Sequence, residues 1–304
     1  MTRSKASDYV TLPLVSIITP AYNQASYLEE TIQGILNQDY PRIEYIVLND
    51  GSTDNTVDVL TKNTGKLIWE SHANIGETLT VNKGWNMAHG ELIAVVNSDD
   101  LLLPGAVSAI VSFMQLHPDI LVAYPDWNII DEESKVKGHM QVPEYDYQYS
   151  IKFHQCIVGP GAFIRRRAIE IAGMRDPAFK YVADYEFWLR LGLYGQFARI
   201  PETLASWRDH PQSASQSCGG TEMADEHIRV MHKLYSRSDI PAEVRKVRPV
   251  AFSRAHIEAA GTCGGQGQLI IKHCLISFLY HPPTFLAMAK NKWRVGLKAI
   301  TRDW

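Results

Sequence analysis

From Leu14 to Asp100 short β-branched runs alternate with amphipathic stretches, and few folds accommodate that alternation. It predicts βα units wound around a parallel sheet. Val15-Ser16-Ile17-Ile18-Thr19 reads as the first strand and stops at the turn Pro20-Ala21-Tyr22-Asn23. Ser26-Tyr27-Leu28-Glu29 has the form of a capping box and predicts a helix reaching Gln38. Ile43 to Leu48 predicts a second strand, ending in Asn49-Asp50-Gly51-Ser52-Thr53-Asp54, a polar turn full of helix-start residues. Lys66 to Glu70 then predicts a third strand, Gly76 to Ala88 a helix, and Glu91 to Asn97 a fourth strand.

That fourth strand delivers Asn97-Ser98-Asp99-Asp100. Two adjacent carboxylates at the end of a buried strand are costly unless a cation or hydrogen-bond donors meet them. Oxygen ligands in this position suit Mg²⁺ or Mn²⁺, ions that keep waters and take further ligands from substrate phosphates. The plainer reading is a turn with a helix N-cap, because Leu101-Leu102-Leu103-Pro104 leads into a helical pattern that reaches Leu116. Ligands of open parallel sheets bind beyond the C-terminal strand ends, where Pro20 to Asn23, Asp50 and Asp99-Asp100 would all fall. Neither G-x-G-x-x-G nor G-x-x-x-x-G-K-[ST] occurs, so the dinucleotide and P-loop readings lack their phosphate loops.

Further along, Leu121 to Tyr124 predicts another strand. The stretch Glu144-Tyr145-Asp146-Tyr147-Gln148-Tyr149 fits a cover for a sugar or an ordinary surface loop equally well. Gly159 to Ile164 reads as a tight turn into a strand, and Arg165-Arg166-Arg167 as a phosphate-facing cluster or a solvated helix start. Asp184 opens the amphipathic segment Ala183 to Leu191, either as a helix cap or as a positioned general base. Leu204 to His210 predicts a strand running out to a histidine, either structural or a metal ligand.

Composition narrows the class. With 45% hydrophobic and 21% charged residues over 304 positions, the chain has the makings of a large core. A net charge of -3 gives no global reason to expect nucleic acid as a partner. Cys156, Cys218, Cys263 and Cys274 form no C-x-x-C pair, which fits a reducing compartment. The polar start at Met1 to Asp8 lacks the apolar centre of a signal peptide, so a cytosolic location is expected. The most apolar stretch, Leu275 to Ala289, is interrupted by His281-Pro282-Pro283, and no full membrane span is expected.

In order and spacing these segments resemble the inverting glycosyltransferases of family 2, which have the GT-A fold. The resemblance runs from about Leu14 to Ser215. It is carried by Val15 to Asn23, Asp50-Gly51-Ser52-Thr53-Asp54, Asn74-Ile75-Gly76, Asn82-Lys83-Gly84, Ser98-Asp99-Asp100, Asp184 and Arg208-Asp209-His210. It implies an α/β Rossmann-like, mostly parallel sheet flanked by helices, with residues 14–100 binding nucleotide, 101–216 facing the acceptor, and a helical region over 217–304 after a tail at 1–13. It further implies that Pro20, Ala21, Tyr22, Asn23 and Asp50 hold the base and ribose of a nucleotide sugar, a UDP-sugar being the expected donor. Ser98 and Asp99 would meet ribose or sugar hydroxyls, Lys83 the diphosphate, Asp100 and His210 a Mn²⁺ or Mg²⁺ ion, and Asp184 would be the catalytic base. The acceptor would be a glycan or lipid-linked glycan in surface-polysaccharide assembly.

Two departures from the family pattern stand out. Many members carry an arginine just before the Asn82-Lys83-Gly84 segment, where this chain has Val81, and the Q-x-x-R-W motif of processive synthases is absent. The second departure points to one sugar per encounter. Past Gly219 the pattern is helical, and Ala289, Trp293, Leu297, Ile300 and Trp304 recur at helical spacing beside Lys290, Arg294, Lys298 and Arg302. Such a helix lies on an anionic membrane at the inner face of the cell membrane, or packs on the domain with its charges in water. Competing functions are a sugar nucleotidyltransferase, which would need a glycine-rich basic loop near the first strand, and a binding module without turnover.

Overall fold

Strand β1 (Val15–Ala21) is buried at every position, as a strand covered on both faces must be. In the computed structural model, which describes residues 12–213 and 219–290, β1 pairs in parallel with β2 (Ile43–Asp50) on one side and β4 (Leu92–Val95) on the other. β3 (Ile68–His72) continues the parallel arrangement beyond β2. Successive β1 side chains separate to opposite faces, Val15 and Ile17 into one core and Ile18 into the other. The first core is closed by α1 (Ala25–Leu36) and α4 (Ala106–Leu116) through Leu28, Ile32, Val107 and Ile110. The second is closed by α3 (Glu77–Met87), whose Gly84 lies so near β1 that a Cβ there would stand 2.4 Å from Ile18 Cγ2. The glycine of Asn82-Lys83-Gly84 is therefore a packing residue. Between β2 and β3 the chain forms α2 (Thr56–Lys62).

The second half of the sheet is mixed. β8 (Phe163–Arg165) runs antiparallel to both β4 and β6 (Ile120–Ile130), β9 (Gln196–Arg208) is parallel to β6, and β5 (Leu101–Leu102) and β7 (Val136–Met140) are antiparallel to β9 and β6. The mostly parallel sheet of the sequence reading is thus parallel across β3-β2-β1-β4 and again at β6-β9, in one order β3-β2-β1-β4-β8-β6-β9-β5. β6 runs well past the expected end at Tyr124 because β7 and β9 pair with its extension.

Several local expectations change. α1 starts at Ala25 with no side-chain cap of its own, and Asp54 accepts from the Ala25 N–H at 2.9 Å, so the cap comes from another loop rather than from Ser26 and Glu29. β3 begins two residues later than Lys66, because Gly65 takes a left-handed φ of 86° in a turn. The tyrosine stretch is neither a sugar cover nor a free loop. Asp146 caps α5 (Tyr147–Phe153), Tyr145 stacks on Phe197, and the Tyr147 hydroxyl donates to the Leu189 carbonyl. The three arginines open a helix, as one of the two readings expected, and donate to carbonyls, with Arg167 also exposed to solvent. Arg165 donates to Met114 and Ile120, Arg166 to Ala88 and Gly90, and Arg167 to Pro118, satisfying oxygens at the ends of α4 and α3.

After α6 (Arg166–Ala172) and α7 (Ala183–Leu191) come α8 (Thr221–Tyr235), α9 (Ala242–Lys246), α10 (Arg248–Thr262) and α11 (Gly267–Tyr280). Val230, Met231, Phe252 and Ala255 of this helical region share a core with Tyr185 and Leu189 of α7. The buried Glu226 carboxylate of α8 accepts from the backbone N–H groups of Lys180, Tyr181 and Val182, the residues that lead into α7. The C-terminal helices thereby fasten the segment that carries Asp184. The basic helix expected towards Trp304 lies outside the described residues, as does the N-terminal tail to Thr11. No helix among the described residues is long and apolar enough to cross a membrane.

Candidate active site

The C-terminal ends of β1 and β2 form the first part of the site. Asp50 ends β2, buried, with Oδ1 accepting from the Ile75 N–H at 2.7 Å and Oδ2 from the Gly76 N–H at 3.0 Å. His72 Nδ1 stands 3.5 Å from Oδ1. Each carboxylate oxygen has a second lone pair, so Asp50 both ties down the loop before α3 and keeps acceptor capacity. Pro20 and Ala21 are buried strand residues paired with Leu48 and Asn49. Tyr22 is half exposed, a free aromatic face at the strand end. Asn23 has a left-handed φ of 53°; its Oδ1 accepts from the Thr53 N–H at 2.8 Å and its own N–H donates to Ser52 Oγ. Asn is one of the few residues that tolerates this conformation. Gly51 (φ 72°) is required because a Cβ would meet the Asn74 nitrogen at 2.6 Å. Burial works to raise the Asp54 pKa, but hydrogen bonds from Thr56 and Ala25 outweigh it and hold the carboxyl below its usual range.

The acidic turn after β4 is held from three sides. Thr31 Oγ1 donates to the Ser98 and Asp100 carbonyls at 3.0 and 2.9 Å. Asp100 Oδ1 accepts from the Arg208 N–H at 3.1 Å, and its Oδ2 from Asn97 Nδ2 at 3.2 Å. Asp99 Oδ2 lies 3.0 Å from His210 Nε2. Arg208, fully buried, donates from Nε to the Asp99 carbonyl at 2.9 Å and from Nη2 to Glu30 at 2.7 Å, and its guanidinium sits 4.7 Å from the Tyr27 ring centre. So Arg208 positions the turn, while its charge is spent on Glu30 and carbonyls. Burial, and then the adjacent Asp99 charge, push the Asp100 carboxyl well above the usual carboxylate range.

A divalent cation is the chemistry that would relieve that strain, and the donor set fits one that takes part of its coordination from a substrate. Asp100 supplies oxygen. His210 would add a nitrogen only by giving up one of its present contacts, Nε2 being bonded to Asp99 and Nδ1 lying 3.3 Å from Gln212 Oε1. Among the described residues no cluster holds three or more metal-ligating side chains. Any ion here would complete its shell with water and phosphate oxygens.

Next to this turn opens a cleft of about 240 Å³ lined by Asp100, Asp184, Glu77, Arg175, Trp188 and Trp207 among others. Asp184 sits in the first turn of α7, where its Oδ1 accepts from the Tyr185 N–H at 2.7 Å and its Oδ2 faces Cys156 Sγ at 3.8 Å. It is a helix-start residue and a cleft residue at once. The structure thus brings Asp100 and Asp184 to one cavity, while Asp99, paired with His210, is next to Asp100 in the chain and does not line it. Lys83 lies elsewhere, its Nζ 2.7 Å from Glu70 Oε2, and does not line the cleft. Sequence reasoning missed Arg175, Trp188 and Trp207 as cleft residues. Trp188 alone had a signal, standing four positions after Asp184 on the same helical face.

The sequence model described as Glycosyl transferase family 2 matches residues 16–172, just over half of the chain. An uncharacterized glycosyltransferase of Haemophilus influenzae is 29% identical over 219 residues, covering 67% of this chain and 68% of the relative. One from Rickettsia typhi is 30% identical over 185 residues, covering 59% of this chain and 58% of its own length. The chain spans about two thirds or less of these relatives. Among solved structures, S. aureus TarS 1-349 in complex with UDP-GlcNAc superposes with a TM-score of 0.65 at 17% identity, covering 93% of this chain and 92% of that one. The mannosyltransferase PcManGT from Pyrobaculum calidifontis, in complex with GDP-Man and Mn²⁺, gives 0.57 at 16% identity, covering 97% and 88%. At such identities the likeness is one of fold. With the family match across β1 to α6 and the acidic turn at the sheet's C-terminal edge, the chain is a GT-A glycosyltransferase of family 2.

Proposed function

We propose that the protein transfers one sugar per encounter, with inversion, from a UDP-sugar to a hydroxyl of a glycan or lipid-linked glycan, using Mn²⁺ or Mg²⁺. The observation that carries the reading is that Asp100 and Asp184 line one cleft. Pro20, Ala21, Tyr22, Asn23 and Asp50 would receive the base and ribose, and Ser98 and Asp99 the ribose or sugar hydroxyls. A divalent ion held by Asp100 and His210 would neutralise the leaving diphosphate. Asp184 takes the proton of the acceptor hydroxyl as that oxygen attacks the anomeric carbon on the face opposite the diphosphate. The anomeric C–O bond breaks and the nucleoside diphosphate departs. Trp188 and Trp207 offer apolar faces to sugar rings in the same cleft.

UDP as the nucleotide is supported by the TarS complex, and a divalent ion by the PcManGT complex. A lipid-linked acceptor is supported by α11 and the residues after it. Ile271, Leu275 and Leu279 stay exposed at four-residue spacing on α11, Leu286 is exposed beyond its end, and Gly267 to Lys290 contains no Asp or Glu. An apolar row without acids suits an anionic membrane surface.

The test is release of nucleoside diphosphate from a panel of nucleotide sugars with Mn²⁺, Mg²⁺ or EDTA. Metal-dependent release from one donor, lost in Asp100→Ala and Asp184→Asn, is the expected result. Donor binding that is unchanged by Asp184→Asn, with no product from the wild type under any condition, would instead favour a binding module.

A further inference from the structure

The guanidinium of Arg175 occupies an unusual place for a surface-type residue. The side chain is only 9% exposed, its Nε has no hydrogen-bond partner among the described residues, and it lines the cleft that holds Asp100 and Asp184. Its Nη1 pairs with Glu77 Oε1 at 3.0 Å, and its Cζ lies 5.9 Å from the centre of the Trp85 ring. Glu77 and Trp85 are eight residues apart on α3, which puts them on one helical row with Val81 between them. The guanidinium therefore lies against this face of α3 at Glu77 and Trp85, while Val81 between them is buried in the core. Its backbone is fastened there too. The Arg175 N–H donates to Asn82 Oδ1 at 3.0 Å and its carbonyl accepts from Asn82 Nδ2 at 2.8 Å.

We infer that Arg175 is the diphosphate-binding cation of this chain, reaching from the segment before α7 into the cleft beside α3. A buried guanidinium with an unused donor presents a planar fork to phosphate oxygens, and its partner Glu77 is half exposed, so that ion pair is exchangeable for a better-placed anion. Lys83 is a poorer candidate, being paired with Glu70 outside the cleft. The inference rests on the nucleotide-sugar reading and refines it, moving the phosphate contact from Lys83 to a residue from another element.

The test measures UDP binding by calorimetry in buffer containing Mn²⁺, and uridine binding by ligand-observed NMR, for the wild type and Arg175→Met. Methionine keeps an unbranched stem over Trp85 and removes the charge. UDP affinity is expected to fall by about tenfold or more, the effect of losing a charged hydrogen-bond pair, while uridine affinity holds. Lys83→Met should change UDP affinity far less. Equal UDP affinity in wild type and Arg175→Met overturns the inference, and so does a parallel loss of uridine binding, which would make Arg175 a scaffold residue. A wild type that binds uridine and UDP equally weakly, or neither, instead refutes the nucleotide-sugar reading beneath it.

Discussion

At the residue scale, two carboxylates sit in different surroundings. Asp184 has one backbone N–H, one thiol and the open cleft around it, a setting in keeping with the base role proposed for it. Asp184→Asn is expected to reduce transfer by roughly 100- to 10,000-fold while leaving UDP affinity intact, read by steady-state rates alongside calorimetry. Asp50 is enclosed by donors from the loop before α3. Asp50→Asn turns one acceptor oxygen into an NH₂ facing a backbone N–H, and should cost about 1 to 3 kcal/mol in urea unfolding and weaken UDP binding as well. Both aspartates stand in short motifs legible in the sequence. Arg175 does not, since its contacts with Glu77, Asn82 and Trp85 exist only once α3 and the segment before α7 are packed together.

At the scale of elements, the approach to α7 depends on α8. Glu226 is buried and spends both carboxylate oxygens on three backbone N–H groups at the entrance to α7. Glu226→Ala strands those donors and should destabilise the protein by roughly 3 kcal/mol, with transfer activity falling because Asp184 loses its placement. Chemical denaturation and the diphosphate-release assay read the two effects. A second joint between α5 and α8 is the buried pair His154 and His227, which share a 2.9 Å hydrogen bond between ring nitrogens. Burial lowers the His227 pKa to about 4; burial, with His227 and Arg254 nearby, takes His154 well below its usual value. The unfolded chain therefore binds more protons than the folded one below the ordinary histidine pKa of about 6.5, so this stability is present above that pH and is lost as pH falls towards 4. Melting temperature should drop between pH 7 and 5, and His227→Gln should flatten the drop. A slope unchanged in that variant would put the acid sensitivity elsewhere.

At the scale of the whole molecule, the exposed apolar row on α11 predicts association with anionic vesicles. Leu275→Glu with Leu279→Glu should abolish co-sedimentation with phosphatidylglycerol vesicles and leave UDP binding unchanged, since neither residue lines the cleft. The sequence by itself determined the centre of the parallel half of the sheet, because β1, β2 and β4 read as apolar, largely β-branched runs that each lead to a recognisable polar turn, whereas β3 is a more exposed strand at the edge. It likewise determined that Asp50 and Asp99-Asp100 meet at one edge, a consequence of βα winding that holds whatever the side-chain packing. What it left to the tertiary structure were contacts between residues far apart in the chain. Asp54 capping α1, Arg165 and Arg166 closing the ends of α4 and α3, Glu226 holding the entrance to α7, and Arg175 lying against α3 all join partners that no local period relates. Local patterns report which way a segment faces; only the packed sheet and helices decide what it faces.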